Sequence, residues 1–320
     1  MNTSLTHLLK IERPIIQGGL AYLARAELAA AVSNAGGLGQ ITATTLNGPQ
    51  QLEEEIARAR SLTDKPIGVN LALGHRPIDD LLSAALNVHV PVISLTGGNP
   101  APYSERILAS GARLMVLVAG VRAAQKAQEL GASIVIGVGV EGGGHLGRDD
   151  IGTMVLTRRL VDAVDIPVVA SGGIGDGRQL AAALALGAAG VEMGTRFVAT
   201  QECIAHTHYK EALVRHDARD TAIIERSLGR PGRTLPSTHV TRILEKEMES
   251  AGQDALLPLI SGDLNYRACV EGFLEEGFVW AGQVIGLIQD IPTVAQLMDR
   301  MEEEARRGSE TLENVWRPVL

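Results

Sequence analysis

The sequence predicts an α/β fold, a (β/α)8 TIM barrel with a helical insertion or lid after its eighth strand. Three observations predict it. Eight short apolar runs occupy residues 14–17, 38–41, 67–71, 90–95, 114–118, 134–138, 167–170 and 190–193. Seven amphipathic segments alternate with them, at 24–35, 49–60, 79–86, 103–110, 121–130, 154–163 and 178–186. Three of these segments end directly in a glycine, an alanine and then a strand, at Gly111-Ala112, Gly131-Ala132 and Gly187-Ala188.

Each element has its physical reason. Most of the apolar runs are β-branched or Leu-rich and uncharged, as strands buried on both faces of a parallel sheet must be. A glycine just past a helix takes the left-handed conformation that ends the helix. Eight βα units close readily into a barrel. An open doubly wound sheet, usually with fewer strands, is the runner-up.

The barrel is assigned to residues 1–200. Residues 201–275 form the helical lid, clearest over 201–266, where Glu225, Arg226, Arg230, Arg233, Arg242, Lys246 and Glu247 raise the charge density. Gly229-Arg230-Pro231-Gly232 breaks that segment. Residues 276–320 return as C-terminal helices packing on the barrel: a small-residue apolar helix at 279–289, then a charged amphipathic one at 293–307. Within it, 301–307 reads as a solvated face.

The N-terminal 13 residues carry Lys10, Glu12 and Arg13 and no long apolar stretch, so no signal peptide is expected. The longest uncharged stretch, 81–104, is broken by Pro91, Gly97, Gly98, Pro100 and Pro102 and makes a poor membrane span. With 29 Lys and Arg against 37 Asp and Glu, the net charge of −8 disfavours nucleic acid and anionic membranes as partners. Cys203 and Cys269 have no motif spacing, which implies neither a disulfide framework nor a metal site. A cytoplasmic protein is expected, with a small-molecule substrate and a homodimer as the expected partnerships.

Barrel enzymes bind phosphates at the loops after strands seven and eight. Here those loops read Ser171-Gly172-Gly173-Ile174-Gly175-Asp176-Gly177 and Met193-Gly194-Thr195-Arg196. Glycines let backbone N–H groups approach an anion closely. The helix opening near Gly177 is expected to add its N-terminal dipole. Two tight turns with no ligand are the alternative, but consecutive strand ends favour a phosphate. Gly137-Val138-Gly139-Val140-Glu141-Gly142 matches a dinucleotide fingerprint. No helix can open behind it, because Gly143-Gly144-His145-Leu146-Gly147 follows, so that reading is set aside.

His145 stands in this glycine-rich stretch at the end of the sixth strand, at the catalytic mouth of a barrel. Histidine exchanges protons near neutral pH. A loop histidine bonded to backbone is the plainer alternative. His75, after strand three, is a further mouth candidate. His206 and His208 complete no zinc pattern. His7, His89, His216 and His239 have no supporting context. Tyr22, Phe278 and Trp280 are the aromatic candidates for a substrate pocket.

Taken in order, Pro14-Ile15-Ile16-Gln17-Gly18-Gly19-Leu20, Ala35-Gly36-Gly37-Leu38-Gly39, Gly68-Val69-Asn70-Leu71, Gly143-Gly144-His145-Leu146-Gly147, Ala170-Ser171-Gly172-Gly173-Ile174 and Met193-Gly194-Thr195-Arg196-Phe197 resemble the nitronate monooxygenase family. The closing stretch from Trp280 to Leu287 resembles that family too. The resemblance spans roughly residues 11–290. It implies non-covalent FMN in a (β/α)8 barrel. Flavin contacts would come from Gly18, Gly19, Leu20, Asn70 and Gly144, and phosphate contacts from Ser171, Gly172, Gly173, Gly194 and Thr195. His145 matches the family's catalytic histidine. No metal is implied.

The family also holds flavin-dependent enoyl-acyl-carrier-protein reductases and quinone reductases. Some relatives carry a lysine on strand five, but Met115-Val116-Leu117-Val118-Ala119-Gly120 has none and resembles the enoyl reductase branch more closely, as does Ala205-His206-Thr207-His208-Tyr209-Lys210. The first expectation is oxidation of alkyl nitronates with O2. The alternative is reduction of enoyl thioesters or quinones with NAD(P)H as co-substrate, the arginines of the insertion meeting carrier or nucleotide phosphates. A non-enzymatic barrel that binds a phosphorylated ligand is the third.

Overall fold

The computed structural model describes residues 1–74, 76–249 and 252–316. All eight expected strands form: β1 (Ile15–Gln17), β2 (Gly39–Thr42), β3 (Ile67–Ala72), β4 (Val92–Thr96), β5 (Arg113–Val118), β6 (Ile134–Val138), then β8 (Val168–Ser171) and β9 (Gly190–Met193) after a two-residue strand, β7 (Gly144–His145). The eight pair in parallel in the order β1-β9-β8-β6-β5-β4-β3-β2. A bridge from Ile16 to Leu38 joins the two edges, with Gln17 N–H donating to Leu38 O at 2.9 Å and Leu38 N–H to Ile15 O at 3.0 Å. The sheet is therefore a closed barrel, and closure leaves no strand edge to protect.

The barrel interior is filled rather than hollow. Ile16, Leu38, Val92, Met115, Ile134, Ile136 and Val169 form one buried cluster. Helix α1 (Ser4–Leu9) contributes Leu5 and Leu9 to it. Seven helices lie where the amphipathic segments predict them: α2 (Ala26–Asn34), α3 (Pro49–Leu62), α4 (Asp79–Asn87), α5 (Ala101–Ala109), α6 (Val121–Glu129), α7 (Thr153–Val161) and α8 (Gly177–Ala185). Gly111, Gly131 and Gly187 take φ of 81°, 85° and 94°, ending their helices as expected.

The four-residue α9 (Thr195–Val198) follows β9, and α10 (Thr207–Arg215) opens the insertion. That insertion was expected to be helical, and it also carries sheet. Strands β10 (Ala222–Ile224) and β11 (Gly232–Thr234) pair antiparallel, and β11 pairs again with β7 from the barrel loop. Gly229, Arg230 and Pro231 of the predicted break lie in the turn between the two strands, and Gly232 opens β11. Helices α11 (Thr238–Met248), α12 (Gln253–Leu256) and α13 (Gly262–Cys269) complete it. Cys203 and Cys269 are buried and unbridged.

The expected apolar helix over 279–289 does not form. Trp280 bridges Thr234, and Gly282 N–H donates to Thr195 Oγ1 at 3.0 Å, so the backbone groups a helix would use are committed elsewhere. Only a 3-10 turn, Gln283–Leu287, remains. The tail is α14 (Val294–Val315), opened by a capping box between Thr293 and Gln296. Its 301–307 segment is not wholly solvated: Met301 and Ala305 are buried, while Glu303 pairs outside with Arg306 and Arg307. Helix α14 packs on α8 so closely that a Cβ at Gly177 would lie 2.0 Å from Met301 O. Among the described residues no helix is long and apolar enough to cross a membrane.

Candidate active site

The C-terminal ends of β8 and β9 build a cradle of backbone donors. Gly172 and Gly173 hold φ of 95° and 74°, conformations open to glycine at little cost. A Cβ at Gly172 would sit 2.8 Å from Gly139 O, and one at Gly173 would sit 2.8 Å from Glu141 Cβ. Among the described residues the N–H groups of Gly173, Gly194 and Thr195 meet no acceptor, while that of Gly172 closes the Ser171–Glu192 pairing of β8 with β9. Backbone donors left without partners at a sheared-off strand end suit an anion. Thr195 spends its oxygen on Gly282 N–H and keeps its own hydroxyl proton to donate.

The dipole expected from the helix opening near Gly177 is not available. Gly177 N–H already donates to Glu304 Oε2 at 2.9 Å, and the Asp176 carboxylate caps Gln179 N–H at 2.8 Å. Two carboxylates of the chain itself fill that helix end. The short α9 at Gly194 and Thr195 keeps its end open instead.

A polar layer lies inside the barrel beneath the cradle, and the sequence reading missed most of it. Asn70 Nδ2 donates to Ser94 Oγ at 3.0 Å, Ser94 Oγ donates to Gln40 Oε1 at 2.6 Å, and Gln40 Nε2 donates to Gln17 O at 2.9 Å. This chain fixes the Asn70 amide with Oδ1 turned to Gly19, where a Cβ would lie only 2.3 Å away. Asn70, Gly18, Gly19 and Leu20 thus share one side of the mouth, and Leu20 Cδ2 reaches Gly194 across it.

Glu192 lies in the same layer. It is 4% exposed, its Oε1 accepts from Ser171 Oγ at 3.1 Å, and its Oε2 has no partner among the described residues. Burial pushes its carboxyl up from 4.5 to about 7, against the smaller opposite pull of the Ser171 bond. Gly18 packs directly on this carboxyl. The signal that would have found it is a lone acid inside the eighth apolar run.

The loop after β6 brings His145 to the mouth. Gly139 and Gly142 abut Gly172, and Gly143 abuts Gly282, so this loop, the cradle and the closing segment converge. His145 lies on β7 opposite Gly232. Its ring centroid is 5.0 Å from that of Trp280, and its Nε2 is 3.8 Å from Glu225 Oε1. Tyr209, fully buried, donates its hydroxyl to Trp280 O and anchors that wall. Phe278 packs edge-on behind Trp280 at 5.0 Å. Tyr22 instead packs on Tyr266, at 5.3 Å.

Other predicted contributors are used structurally. Arg226 pairs with Asp150 through two bonds of 3.1 Å, Arg230 with Glu225 at 3.0 Å, and Arg233 donates to Val140 O at 2.9 Å. Arg226 and Arg233 fasten the insertion to the barrel loop, while the Arg230 pair lies within the insertion. His206 Nδ1 accepts His208 N–H and caps α10. Arg196 is buried and ties α9 to Asp290 O at 2.8 Å. His75 lies outside the described residues.

Comparison with known proteins agrees with this architecture. The profile of the nitronate monooxygenase family matches residues 2–304. A nitronate monooxygenase of Pseudomonas aeruginosa is 33% identical over 96% of this chain and 100% of its own length. A (3aS,4S,5R,7aS)-5-hydroxy-7a-methyl-1-oxo-octahydro-1H-indene-4-carboxyl-CoA dehydrogenase of Rhodococcus jostii is 32% identical over 98% of each chain. Among solved structures, FabK from Thermotoga maritima superposes with a TM-score of 0.92 at 40% identity, covering 98% of this chain and 99% of that one. A nitroalkane oxidase from Streptomyces ansochromogenes superposes with a TM-score of 0.82 at 30% identity, covering 96% and 99%. With a closed barrel and these whole-length matches, the chain belongs to the nitronate monooxygenase family of flavin-dependent oxidoreductases.

Proposed function

We propose that this enzyme binds FMN in the cradle and oxidises alkyl nitronates with O2. The observation that carries the reading is one mouth shared by unpaired backbone donors at Gly173, Gly194 and Thr195, beside Gly172, and by the imidazole of His145. The donors suit the phosphate of FMN, with Ser171 beside them. Gly18, Gly19, Leu20 and Gly144 offer backbone close enough for a flat ring, and Asn70 offers a fixed amide. Bound flavin supplies the electron acceptor, and O2 takes the electrons onward.

The chain's own part is positioning and proton transfer. His145 takes the carbon-bound proton of a nitroalkane, leaving the electron pair on the substrate as its nitronate. Trp280 covers one side of the ring and limits water there. Purified protein should be yellow. Aerobic addition of a nitronate without NAD(P)H should consume O2, and a protein that consumes none with any nitronate sinks the reading.

The second reading is NAD(P)H-dependent reduction of an enoyl thioester. Three observations favour it: the 40% identity to FabK, the carboxyl-CoA substrate in the name of the Rhodococcus relative, and the strand-five stretch without lysine. In that direction His145 would return a proton to the reduced substrate. Anaerobic bleaching of the flavin by NADH or NADPH separates the two readings.

A further inference from the structure

Glu225, just past β10, has a backbone φ of 62°. That left-handed conformation is costly for a residue with a Cβ and nearly free for glycine. The turn would form more readily without this side chain. The main chain around it is fully engaged: Glu225 N–H donates to Glu247 Oε2 at 3.0 Å, and its carbonyl accepts from Leu228 and Arg230 at 3.2 and 3.1 Å. The side chain is 4% exposed. Its Oε2 is 3.0 Å from Arg230 Nη2, and its Oε1 is 3.8 Å from His145 Nε2. A strained backbone that delivers a buried carboxylate to a mouth-lining histidine is strain retained for the side chain.

We propose that Glu225 is the positioning residue for His145, reaching from the insertion to hold Nε2 and to stabilise the imidazolium that forms during turnover. This rests on His145 being the base. The 3.8 Å separation is too long for a hydrogen bond, so the pair is loose while the ring is neutral. When the ring takes the proton of a neutral nitroalkane, the substrate C–H bond breaks and its electron pair stays on the substrate as the nitronate. The proton binds Nδ1, and Nε2–H then donates to Glu225, which now faces two cations, His145 and Arg230. In the reductive direction the same imidazolium gives the proton up. A buried carboxylate flanked by positive groups is in its favoured state only then.

The test compares Glu225→Gly, Glu225→Gln and His145→Ala in the flavin-loaded enzyme with a neutral nitroalkane as substrate, since a preformed nitronate has no carbon-bound proton for His145 to take. Glycine fits φ 62°, so Glu225→Gly should fold and melt no lower than the wild type. Its kcat should fall on the order of 10- to 1,000-fold, short of the loss from His145→Ala, with KM little changed. Glu225→Gln keeps an acceptor without the charge and should also turn over slowly. Nitrogen-labelled histidine spectra of the protonated ring should show a hydrogen-bonded Nε2–H in the wild type that is lost in Glu225→Gly. Wild-type turnover and an unchanged Nε2–H signal in both Glu225 variants would overturn the proposal. Unchanged turnover in His145→Ala would instead remove the base reading beneath it.

Discussion

The cradle and the His145 wall lie at one mouth, yet the chain assembles them differently. Gly172, Gly173, Gly194 and Thr195 belong to a single βαβ unit, so the barrel strands place them almost without help. His145, Glu225 and Trp280 come from a barrel loop, the insertion and the closing segment, and they meet through contacts between distant segments, among them the β7–β11 pairing and the Thr234–Trp280 bridge. The difference teaches where change is cheap. A cradle made of backbone on rigid strands keeps its ligand while the wall is rebuilt from outside the barrel. Two relatives about equally similar to this chain carry the names of a nitronate monooxygenase and a carboxyl-CoA dehydrogenase, so proteins alike over their whole length are named for different substrates.

Four changes break or sharpen this contrast, in falling order of effect. His145→Ala acts on the wall alone: turnover of a neutral nitroalkane should drop about 10²–10⁴-fold while the flavin spectrum is retained. Loss of the flavin would show that wall and cradle are one structure.

Glu192 tests the floor of the cradle through pH. Its carboxyl is raised from 4.5 to about 7, so the folded state holds a proton that the unfolded state has already released. The associated stability is present below pH 4.5 and is lost as pH rises through about 7, with a ceiling of about 3 kcal/mol. Melting temperatures of the flavin-free protein should therefore fall across that window, and Glu192→Gln should flatten the fall. Equal slopes in the two proteins would refute the assignment.

Gly172→Ala puts a Cβ 2.8 Å from Gly139 O at φ 95°. It should cost roughly 1–3 kcal/mol and weaken flavin binding, read by fluorescence titration, with His145 untouched. Arg226→Ala removes an exposed pair with Asp150 at the rim of the wall. A stability change of about 1 kcal/mol or less is expected, and a larger loss in chemical denaturation would mark that pair as the hinge of the insertion.

Legibility followed the range of the contacts. The strands β6 and β9 lie at 134–138 and 190–193, as their apolar runs predicted, because burial on both faces writes itself into consecutive residues. The two-residue β7 left no such trace, since Gly144 and His145 become a strand only when Gly232 and Arg233 arrive beside them. The 279–289 segment looked helical from its small apolar residues, but packing of Gly282 on Gly143 decided its path. Gln17, Gln40 and Ser94 were invisible as a network because each sits on a different strand.

By itself the sequence determined the barrel, its order of elements and the donor-rich loops at Gly172–Gly173 and Gly194–Thr195, because periodicity and turn chemistry are local. The tertiary structure alone decided which helix end stays open, that Glu192 lies buried with one oxygen unpartnered, and that Glu225 faces His145. Those depend on burial and on groups far apart in the chain, and neither desolvation nor a contact between distant segments is written in any one stretch of residues.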